Sequence, residues 1–403
     1  MRGALHITVV TETYPPEING VANTMRHLVA GLEGRAHQVH VVRPRQRTDA
    51  AGAGAPRPGE TPSEPARETL VPGLPIPGYR GLRFGLPVVR RLRRLWQDQR
   101  PDLIYIATEG PLGHAALKAA EAYAIPTATG YHTQFEQYSR HYGLGLLARP
   151  IARSLRNFHN RADATLVPTT ELRDRLRAQG YHKVQVFGRG VDTRLFSPMR
   201  RRAQLRAQWD CGPGDPTLLY VGRLAAEKNI ALVLDSFTAT RAAMPSARCV
   251  LVGDGPQWSR LSRAFPQFHF VGAKVGAELA EHYASADLFV FPSLTETFGN
   301  VVPEAMASGL TVVAFDDAAA HNYIRTGENG ITVNPGDDRA FIAAVVAAAR
   351  DGKRLLQYGS QARATAETLG WDRVIGAVEK CLYDVIQRRA TTAGPLPLAV
   401  TPE

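Results

Sequence analysis

Short apolar runs that lead into a loop and then into a helix recur along this chain. Residues 5–10 form the first run, and a helix is predicted after it over residues 22–32. Runs of this kind are typical of buried parallel strands, and their alternation with helices predicts an α/β fold. The same order begins again at residue 216. Because ligands bind at the carboxyl ends of such strands, we expect the functional residues in the loops that follow them.

The chain is long enough for two domains, each with its own core. We predict one domain over residues 1–190, completed by a C-terminal helix over residues 371–389, and a second over residues 191–370. Each is predicted to be a doubly wound, Rossmann-like sheet. Residues 44–82 are rich in Pro, Gly, Ala and Arg and lack periodicity, which predicts a long mobile surface loop. A disordered tail is predicted over residues 390–403.

The net charge of +11 lies in the first half of the chain. Residues 1–190 carry 26 Lys and Arg against 15 Asp and Glu, whereas residues 191–403 carry 22 of each. This asymmetry predicts a surface that meets anionic lipid, nucleic acid or a phosphorylated ligand. For nucleic acid, however, the chain lacks aromatic and basic residues interleaved on a sheet and lacks a recognisable reading helix. We therefore expect no nucleic-acid partner.

The cysteines and the apolar segments indicate the compartment. Cys211, Cys249 and Cys381 are odd in number and far apart, so they predict neither a disulfide framework nor a zinc site. The apolar segment near the N-terminus is too short for a signal peptide, and no segment approaches the length of a membrane span. These features predict a protein of the reducing cytoplasm.

Two carboxylates eight residues apart follow the apolar run at residues 288–292. Glu296 precedes a predicted short helix, and Glu304 lies on it. The amides at the helix start favour an anion, and they belong to Phe298, Gly299, Asn300 and Val301. An anion site flanked by two hydroxyl-binding carboxylates would suit a sugar joined to a phosphate. The alternative is a chance pair, with Glu304 as an ordinary helix-start charge.

Other polar residues also follow predicted strands. Arg223 and Lys228 lie at a strand-to-helix junction, where both cations can converge on one pyrophosphate, although a plain surface pair is the alternative. Gly20 lies close to the start of the first predicted helix, where a phosphate can approach the backbone closely, unless it is only a turn glycine. No Gly-x-Gly-x-x-Gly motif accompanies it, which argues against a dinucleotide cofactor. His132 stands at a strand's carboxyl end, although a lone histidine is more often structural.

A basic amphipathic helix is predicted over residues 87–96. One face is apolar, and the rest of the helix carries Arg90, Arg91, Arg93 and Arg94. Such a helix is typical of proteins that lie on an anionic membrane, but it is also compatible with an apolar face packed on the sheet and solvated arginines outside. A second basic segment carries Arg149, Arg153 and Arg156 at roughly helical spacing.

Together these motifs resemble the retaining glycosyltransferases of family 4, and the resemblance covers nearly the whole chain. It implies the GT-B fold, in which two Rossmann-like domains face each other across a cleft. The Asn19-Gly20-Val21 form of the first loop resembles the branch of GDP-mannose-dependent α-mannosyltransferases and lipid glycosyltransferases. The matching motifs are Pro15-Pro-Glu-Ile-Asn-Gly-Val21, His132-Thr133, Arg189-Gly-Val-Asp192, Gly222-Arg-Leu-Ala-Ala-Glu-Lys228 and, above all, Glu296-Thr-Phe-Gly-Asn-Val-Val-Pro-Glu304.

The resemblance implies a role for each position in the donor site. Gly20 would lie against the donor pyrophosphate, and Arg223 and Lys228 would neutralise it as it leaves. Glu304 would hold the ribose hydroxyls, whereas Glu296 would hold the sugar together with the backbone of residues 298–301.

Two further parts of the donor site are implied. Lys274 and Val275 would contact the base, and His132 would hydrogen-bond the donor sugar near the reacting centre. No Asp-x-Asp motif is visible, so we predict neither a metal nor any other cofactor beside the nucleotide-sugar substrate.

These expectations describe a retaining hexosyltransferase whose favoured donor is GDP-mannose and whose acceptor is a membrane lipid such as diacylglycerol or a glycolipid. Its basic, acceptor-binding half would dock on the anionic inner face of the cell membrane as a peripheral protein. The alternatives are a UDP-glucose-dependent lipid glucosyltransferase and a transferase that builds cell-surface polysaccharide on a carrier lipid. A nucleotide-sugar epimerase, which shares the two-sheet form, is more distant.

Overall fold

The structure, a computed structural model, describes residues 3–17, 19–46, 49, 67–75, 83–132, 148–212, 214–294 and 296–393. The chain divides into two compact units. The described residues of the first unit fall within 3–132, 148–188 and 372–393, and those of the second within 189–371.

The first unit contains nine strands and five helices before the chain leaves it, among the described residues. In chain order they are β1 (His6–Val10), α1 (Gly20–Glu33), β2 (Gln38–Pro44), β3 (Arg67–Val71), β4 (Gly73–Pro75), β5 (Arg83–Gly85), α2 (Val89–Asp98), β6 (Leu103–Ile106), α3 (Pro111–Ala122), β7 (Thr127–Gly130), α4 (Ala148–Arg161), β8 (Ala164–Val167), α5 (Thr170–Ala178) and β9 (Val184–Val186).

Seven of these strands form one parallel sheet in the order β3-β2-β1-β6-β7-β8-β9. Every residue of β6, β7 and β8 is buried, which is why these strands are continuous apolar or small-residue runs. The strand order reverses between β1 and β6. The loops after these two strands therefore begin side by side at the carboxyl edge of the sheet, which is the usual ligand-binding edge of such sheets.

Among its described residues, the second unit repeats this architecture with six strands. Its elements are α6 (Ala203–Gln208), β10 (Thr217–Val221), α7 (Ile230–Ala243), β11 (Arg248–Val252), α8 (Trp258–Ala264), β12 (His269–Gly272), α9 (Gly276–Ser285), β13 (Leu288–Phe291), α10 (Val301–Ala307), β14 (Thr311–Phe315), α11 (Ala318–Tyr323), β15 (Ile331–Val333), α12 (Asp338–Arg350) and α13 (Gly352–Glu367). Short 3-10 helices span Pro198–Arg200 and Ala226–Lys228. The parallel sheet has the order β12-β11-β10-β13-β14-β15, so its reversal lies between β10 and β13.

The prediction of one loop over residues 44–82 is wrong for part of that range. Residues 67–71 form β3, which pairs in parallel with β2, and β4 pairs with β5 as an antiparallel hairpin. An edge strand such as β3 needs no apolar alternation, because the ladder to β2 and a 2.8 Å ion pair between Arg43 and Glu68 stabilise it. The rest of the predicted mobile loop lies almost entirely outside the described residues.

The helical segment over residues 338–367 is divided into α12 and α13 at Asp351. Asp351 ends α12 and caps α13, since its Oδ1 accepts a hydrogen bond from the Arg354 amide at 3.0 Å. The last helix, α14 (Trp371–Ala393), extends past residue 389, so the predicted disordered tail begins too early. From residue 372 this helix belongs to the first unit. Its ion pairs there include Arg389 with Asp163 at 2.9 Å.

Helix α2 packs its apolar face inside the first unit. Leu92 and Trp96 are buried in a core that also includes residues of α3 and Phe158 of α4. The arginines lie on the opposite side, where Arg90, Arg91 and Arg94 are exposed and Arg93 is half-buried. The apolar face of α2 is therefore buried in the protein and cannot insert into a membrane, whereas its basic face is accessible. In the part of the chain that the structure describes, no helix is both long and apolar enough to cross a membrane.

Candidate active site

The loops at the reversal point of the second sheet contact each other. β10 pairs with β13, so the loop that follows β10 and the loop that follows β13 start side by side. Lys228 lies in the first of these loops and Glu296 in the second. The Lys228 Nζ donates a hydrogen bond to the Glu296 Oε1, and the Ser293 Oγ donates to the same oxygen at 2.8 Å. The two charged side chains are 14% and 16% exposed, so the pair lies near the surface but is well held.

Arg223 lies on the same loop as Lys228, directly after β10. Its guanidinium is 3.5 Å from the carboxylate of Glu227, whose side chain is only 4% exposed. The buried Tyr220 hydroxyl donates to the Arg223 carbonyl at 3.1 Å. Burial, followed by the nearby carboxylates of Glu296 and Glu227, raises the pKa of Tyr220, which keeps the phenol protonated and able to donate. This loop therefore presents two cations on a fixed backbone.

The turn between Glu296 and α10 brings the backbone against the Glu296 side chain. Gly299 has φ +84°, and a Cβ on it would lie 3.4 Å from the Glu296 Cγ. Phe298 anchors this turn from beneath, since it is buried and its carbonyl accepts from the Ala319 amide at 2.8 Å. Asn300 and Val301 follow at the start of α10. The segment therefore starts α10 with the backbone of Gly299 close to the Glu296 side chain.

Glu304 lies in the first turn of α10, beside a buried tyrosine. The Tyr283 hydroxyl donates to the Glu304 Oε2 at 3.1 Å. Burial raises the pKa of Glu304 from 4.5 to about 8, and the hydrogen bond from Tyr283 opposes part of that rise. At neutral pH this carboxyl is therefore close to its own titration range, unlike an ordinary surface glutamate.

Lys274 and Val275 lie at the end of β12, the edge strand of the same sheet. The Lys274 ammonium is 2.5 Å from the Glu278 carboxylate, and Val275 precedes α9 as its N-cap residue. The structure thus places them on the carboxyl edge with the other predicted donor residues, but at a different strand from the Lys228–Glu296 pair.

The first unit carries Gly20 and His132 at the carboxyl edge of its own sheet. Gly20 is the first residue of α1, and the Asn19 Oδ1 caps this helix by accepting from the amides of Val21 at 3.1 Å and Ala22 at 2.9 Å. His132 comes two residues after β7 and is buried. Its Nε2 is 3.0 Å from the Tyr105 hydroxyl.

The predicted acceptor-side arginines lie on two helices of one layer. Arg149 and Arg153 are exposed on α4, as are three of the four arginines of α2. Since Trp96 of α2 and Phe158 of α4 belong to the same buried cluster, both helices cover the same face of the sheet. The two helices that carry these exposed arginines therefore lie on one side of the sheet.

The sequence alone did not reveal several polar residues beside these sites. Glu12 follows β1, and its Oε1 accepts from the Leu112 amide at 2.9 Å. Burial, opposed by that hydrogen bond and reinforced by Glu109, raises the pKa of Glu12 to about 7. Tyr105 and the buried pair of His159 and Glu109, 3.2 Å apart, were also missed. Glu12, Tyr105 and Glu109 lie within or after apolar runs and His159 lies on a helix, but the partners of all four are distant in sequence.

Within the described ranges, no three His, Cys, Asp or Glu side chains are grouped so that they could hold a metal ion.

Comparisons with known proteins identify the family of this chain. Residues 18–195 match the family described as Glycosyltransferase Family 4, and residues 215–351 match the family described as Glycosyl transferases group 1. A GDP-mannose-dependent alpha-mannosyltransferase of Mycobacterium tuberculosis (strain CDC 1551 / Oshkosh) is 33% identical over 397 residues, which cover 96% of this chain and 98% of the relative.

A more distant relative and a solved structure extend the comparison. An alpha-monoglucosyldiacylglycerol synthase of Acholeplasma laidlawii is 26% identical, over 83% of this chain and 86% of the relative. The structure of sucrose-phosphate synthase from Thermosynechococcus elongatus superposes with a TM-score of 0.75 at 18% identity, covering 95% of this chain and all of that one. The two parallel sheets, the family matches and the full-length relative together show that this chain is a hexosyltransferase that belongs to glycosyltransferase family 4 and has the GT-B fold.

Proposed function

We propose that this chain transfers mannose from GDP-mannose, with retention of configuration, to a hydroxyl group of a membrane lipid such as diacylglycerol. The contact between Lys228 and Glu296 carries the proposal. A nucleotide sugar joins a hydroxyl-rich ring directly to a diphosphate, so its site needs a cation and a hydroxyl acceptor side by side. The mannosyltransferase relatives support the choice of donor, and the synthase named for diacylglycerol supports the choice of acceptor.

In the proposed reaction, the bond between the sugar C1 and the phosphate oxygen breaks as the acceptor oxygen bonds to C1 on the same face. The departing phosphate gains negative charge and takes the proton of the acceptor hydroxyl. Arg223 and Lys228 stabilise that charge because they are already held in place before it develops. Glu296 orients the sugar through its hydroxyls, and His132 hydrogen-bonds the sugar near C1. Fixed cations supply the charge stabilisation, so the proposed reaction needs no divalent metal.

The remaining predicted residues bind the rest of the donor. Glu304 accepts hydrogen bonds from the ribose hydroxyls, and Lys274 and Val275 contact the base. Gly20 gives the pyrophosphate access to the backbone of the first unit, at the start of the 14-residue helix α1.

Docking of the first unit on anionic lipid is proposed to be electrostatic. The exposed arginines of α2 and α4 extend from one layer of the unit, whereas the apolar residues of α2 are buried beneath them. Basic side chains near an anionic bilayer contribute about 1 kcal/mol each. The enzyme would thus reach a lipid acceptor as a peripheral protein on the inner face of the cell membrane.

The test uses the purified chain, EDTA and vesicles that contain phosphatidylglycerol and diacylglycerol. We expect radiolabel from GDP-mannose to enter a lipid product, and we expect no product from UDP-glucose. Label transfer from UDP-glucose instead, or transfer only to a polyprenyl-linked sugar, would overturn the donor or the acceptor assignment. A new sugar epimer formed without any acceptor would indicate an epimerase, and activity that returns only when Mg²⁺ replaces EDTA would contradict metal independence.

A further inference from the structure

A buried tyrosine holds His132 directly. Tyr105 lies on β6, is only 1% exposed, and has its hydroxyl 3.0 Å from the His132 Nε2. The contact depends on Gly130, because a Cβ there would lie 2.3 Å from both the Tyr105 hydroxyl oxygen and the His132 Nε2. The ring of Phe187 meets the imidazole edge-on at 6.1 Å and limits its movement on another side.

Two further buried side chains, those of His159 and Glu109, contact each other, and His159 contacts the residues just before His132. The His159 Nε2 is 3.2 Å from the Glu109 Oε1, and the two side chains are 0% and 3% exposed. The other ring nitrogen, Nδ1, is 2.8 Å from the Thr129 Oγ1 on β7. The His159 ring also lies against Tyr131, with centroids 5.2 Å apart. The pair therefore contacts residues on either side of Gly130, directly before His132.

These contacts link the loop after β6, helix α4 and strand β8 to the end of β7. Glu109 belongs to the loop after β6, and His159 lies in the last turn of α4. Thr129 in turn contacts the Thr165 hydroxyl of β8 at 3.1 Å. A buried contact between an imidazole and a carboxyl group adds little net stability compared with apolar packing, but its directional hydrogen bond fixes geometry. Here the pair fixes the backbone segment that leads to His132.

We propose that Tyr105 and the His159–Glu109 pair are positioning residues for His132 in hexosyl transfer. The proposal rests on the role assigned above to His132. A group that touches the sugar near its reacting carbon must be held within a fraction of an ångström to be effective. Tyr105 sets the direction of the imidazole, and the His159–Glu109 pair sets the backbone position of residues 129–132.

The first experiment compares turnover of Tyr105→Phe with that of the unchanged enzyme. The substitution removes one oxygen and keeps the ring, so we expect the same thermal unfolding midpoint and the same KM for the donor. We expect kcat to fall about 10- to 100-fold, as for other small misplacements of a reacting group. Tyr383→Phe is the matched control, because it removes a partly buried hydroxyl of the same unit that contacts the Gly3 carbonyl. It is expected to leave kcat unchanged.

The second experiment asks whether these residues act through His132. In a His132→Ala background, we expect Tyr105→Phe and Glu109→Gln to cause no further loss of kcat, since their target is gone. Full turnover of Tyr105→Phe would overturn this inference but not the role of His132. The same holds if the losses of kcat in the double variants equal the product of the losses in the single variants. Full turnover of His132→Ala itself would overturn the assigned role of His132 and, with it, this inference.

Discussion

Glu304 is a carboxyl whose proton should depend on whether the donor is bound. In the folded chain, burial raises its pKa from 4.5 to about 8. Between these two values the folded state binds more protons than the unfolded state does, so this group lowers the free energy of unfolding as pH rises through that window. Glu304→Gln removes the effect. We expect the unfolding midpoint of the variant, relative to the unchanged chain, to rise between about pH 5 and about pH 8.

The same residue makes a prediction for nucleotide binding. Ribose hydroxyls donate to a carboxylate and stabilise its charged form, so binding at neutral pH should release a proton. Titration calorimetry of GDP in buffers of different ionisation enthalpy measures that release. It should disappear in Glu304→Gln and persist in Glu328→Gln, an exposed control in the same unit whose side chain is 69% exposed. Identical proton release in both variants would show that Glu304 does not contact the nucleotide.

At the scale of single residues, the sequence can predict a functional residue when its position after one strand is enough to identify it. Lys228 and Glu296 each follow an apolar run, and the structure joins them by a hydrogen bond. Tyr105 and Glu12 could not be found in this way, because each acquires its role from a partner far along the chain. Glu12, for example, contacts the Leu112 amide 100 residues away.

Helix α2 makes its own prediction, which concerns the arginines on its exposed face. Replacing Arg90, Arg91 and Arg94 by alanine should weaken binding to anionic vesicles by about 3 kcal/mol, or about 100-fold, at low salt. Sedimentation with phosphatidylglycerol vesicles measures this binding. The control replaces three exposed arginines of the second unit, Arg325, Arg339 and Arg354. If both triple variants bind alike, docking through α2 is wrong.

At the scale of elements, the sequence predicts best the strands that are fully buried. Strands such as β6 and β13 are buried along their whole length, and their apolar runs place them within a residue or so of the observed bounds. β3 is an edge strand stabilised by its neighbour, and its own residues, Arg67-Glu-Thr-Leu-Val71, give little indication of it. The break between α12 and α13 depends on capping by Asp351, which an apolar period does not reveal.

At the scale of the whole molecule, alternation of strands and helices predicts two doubly wound units, but it does not determine their strand order. To predict the order, one must know which strand lies beside the first strand of each sheet. In both sheets it is the fourth main-sheet strand along the chain, which is β6 in the first unit and β13 in the second. The order matters for function because it puts the loops after β10 and β13 side by side. The family resemblance supplied that information before the structure did.

The central claim is that the loops after β10 and β13 stabilise the departing phosphate of a nucleotide sugar. The most direct measurement is the rate of hexosyl transfer by Lys228→Ala, with Lys353→Ala, an exposed lysine of the same unit, as control. Loss of one fixed charge-stabilising group should lower kcat by about 10²- to 10³-fold. The control should turn over normally, and both variants should keep their unfolding midpoints within a few degrees. Near-normal transfer by a folded Lys228→Ala enzyme would contradict the claim.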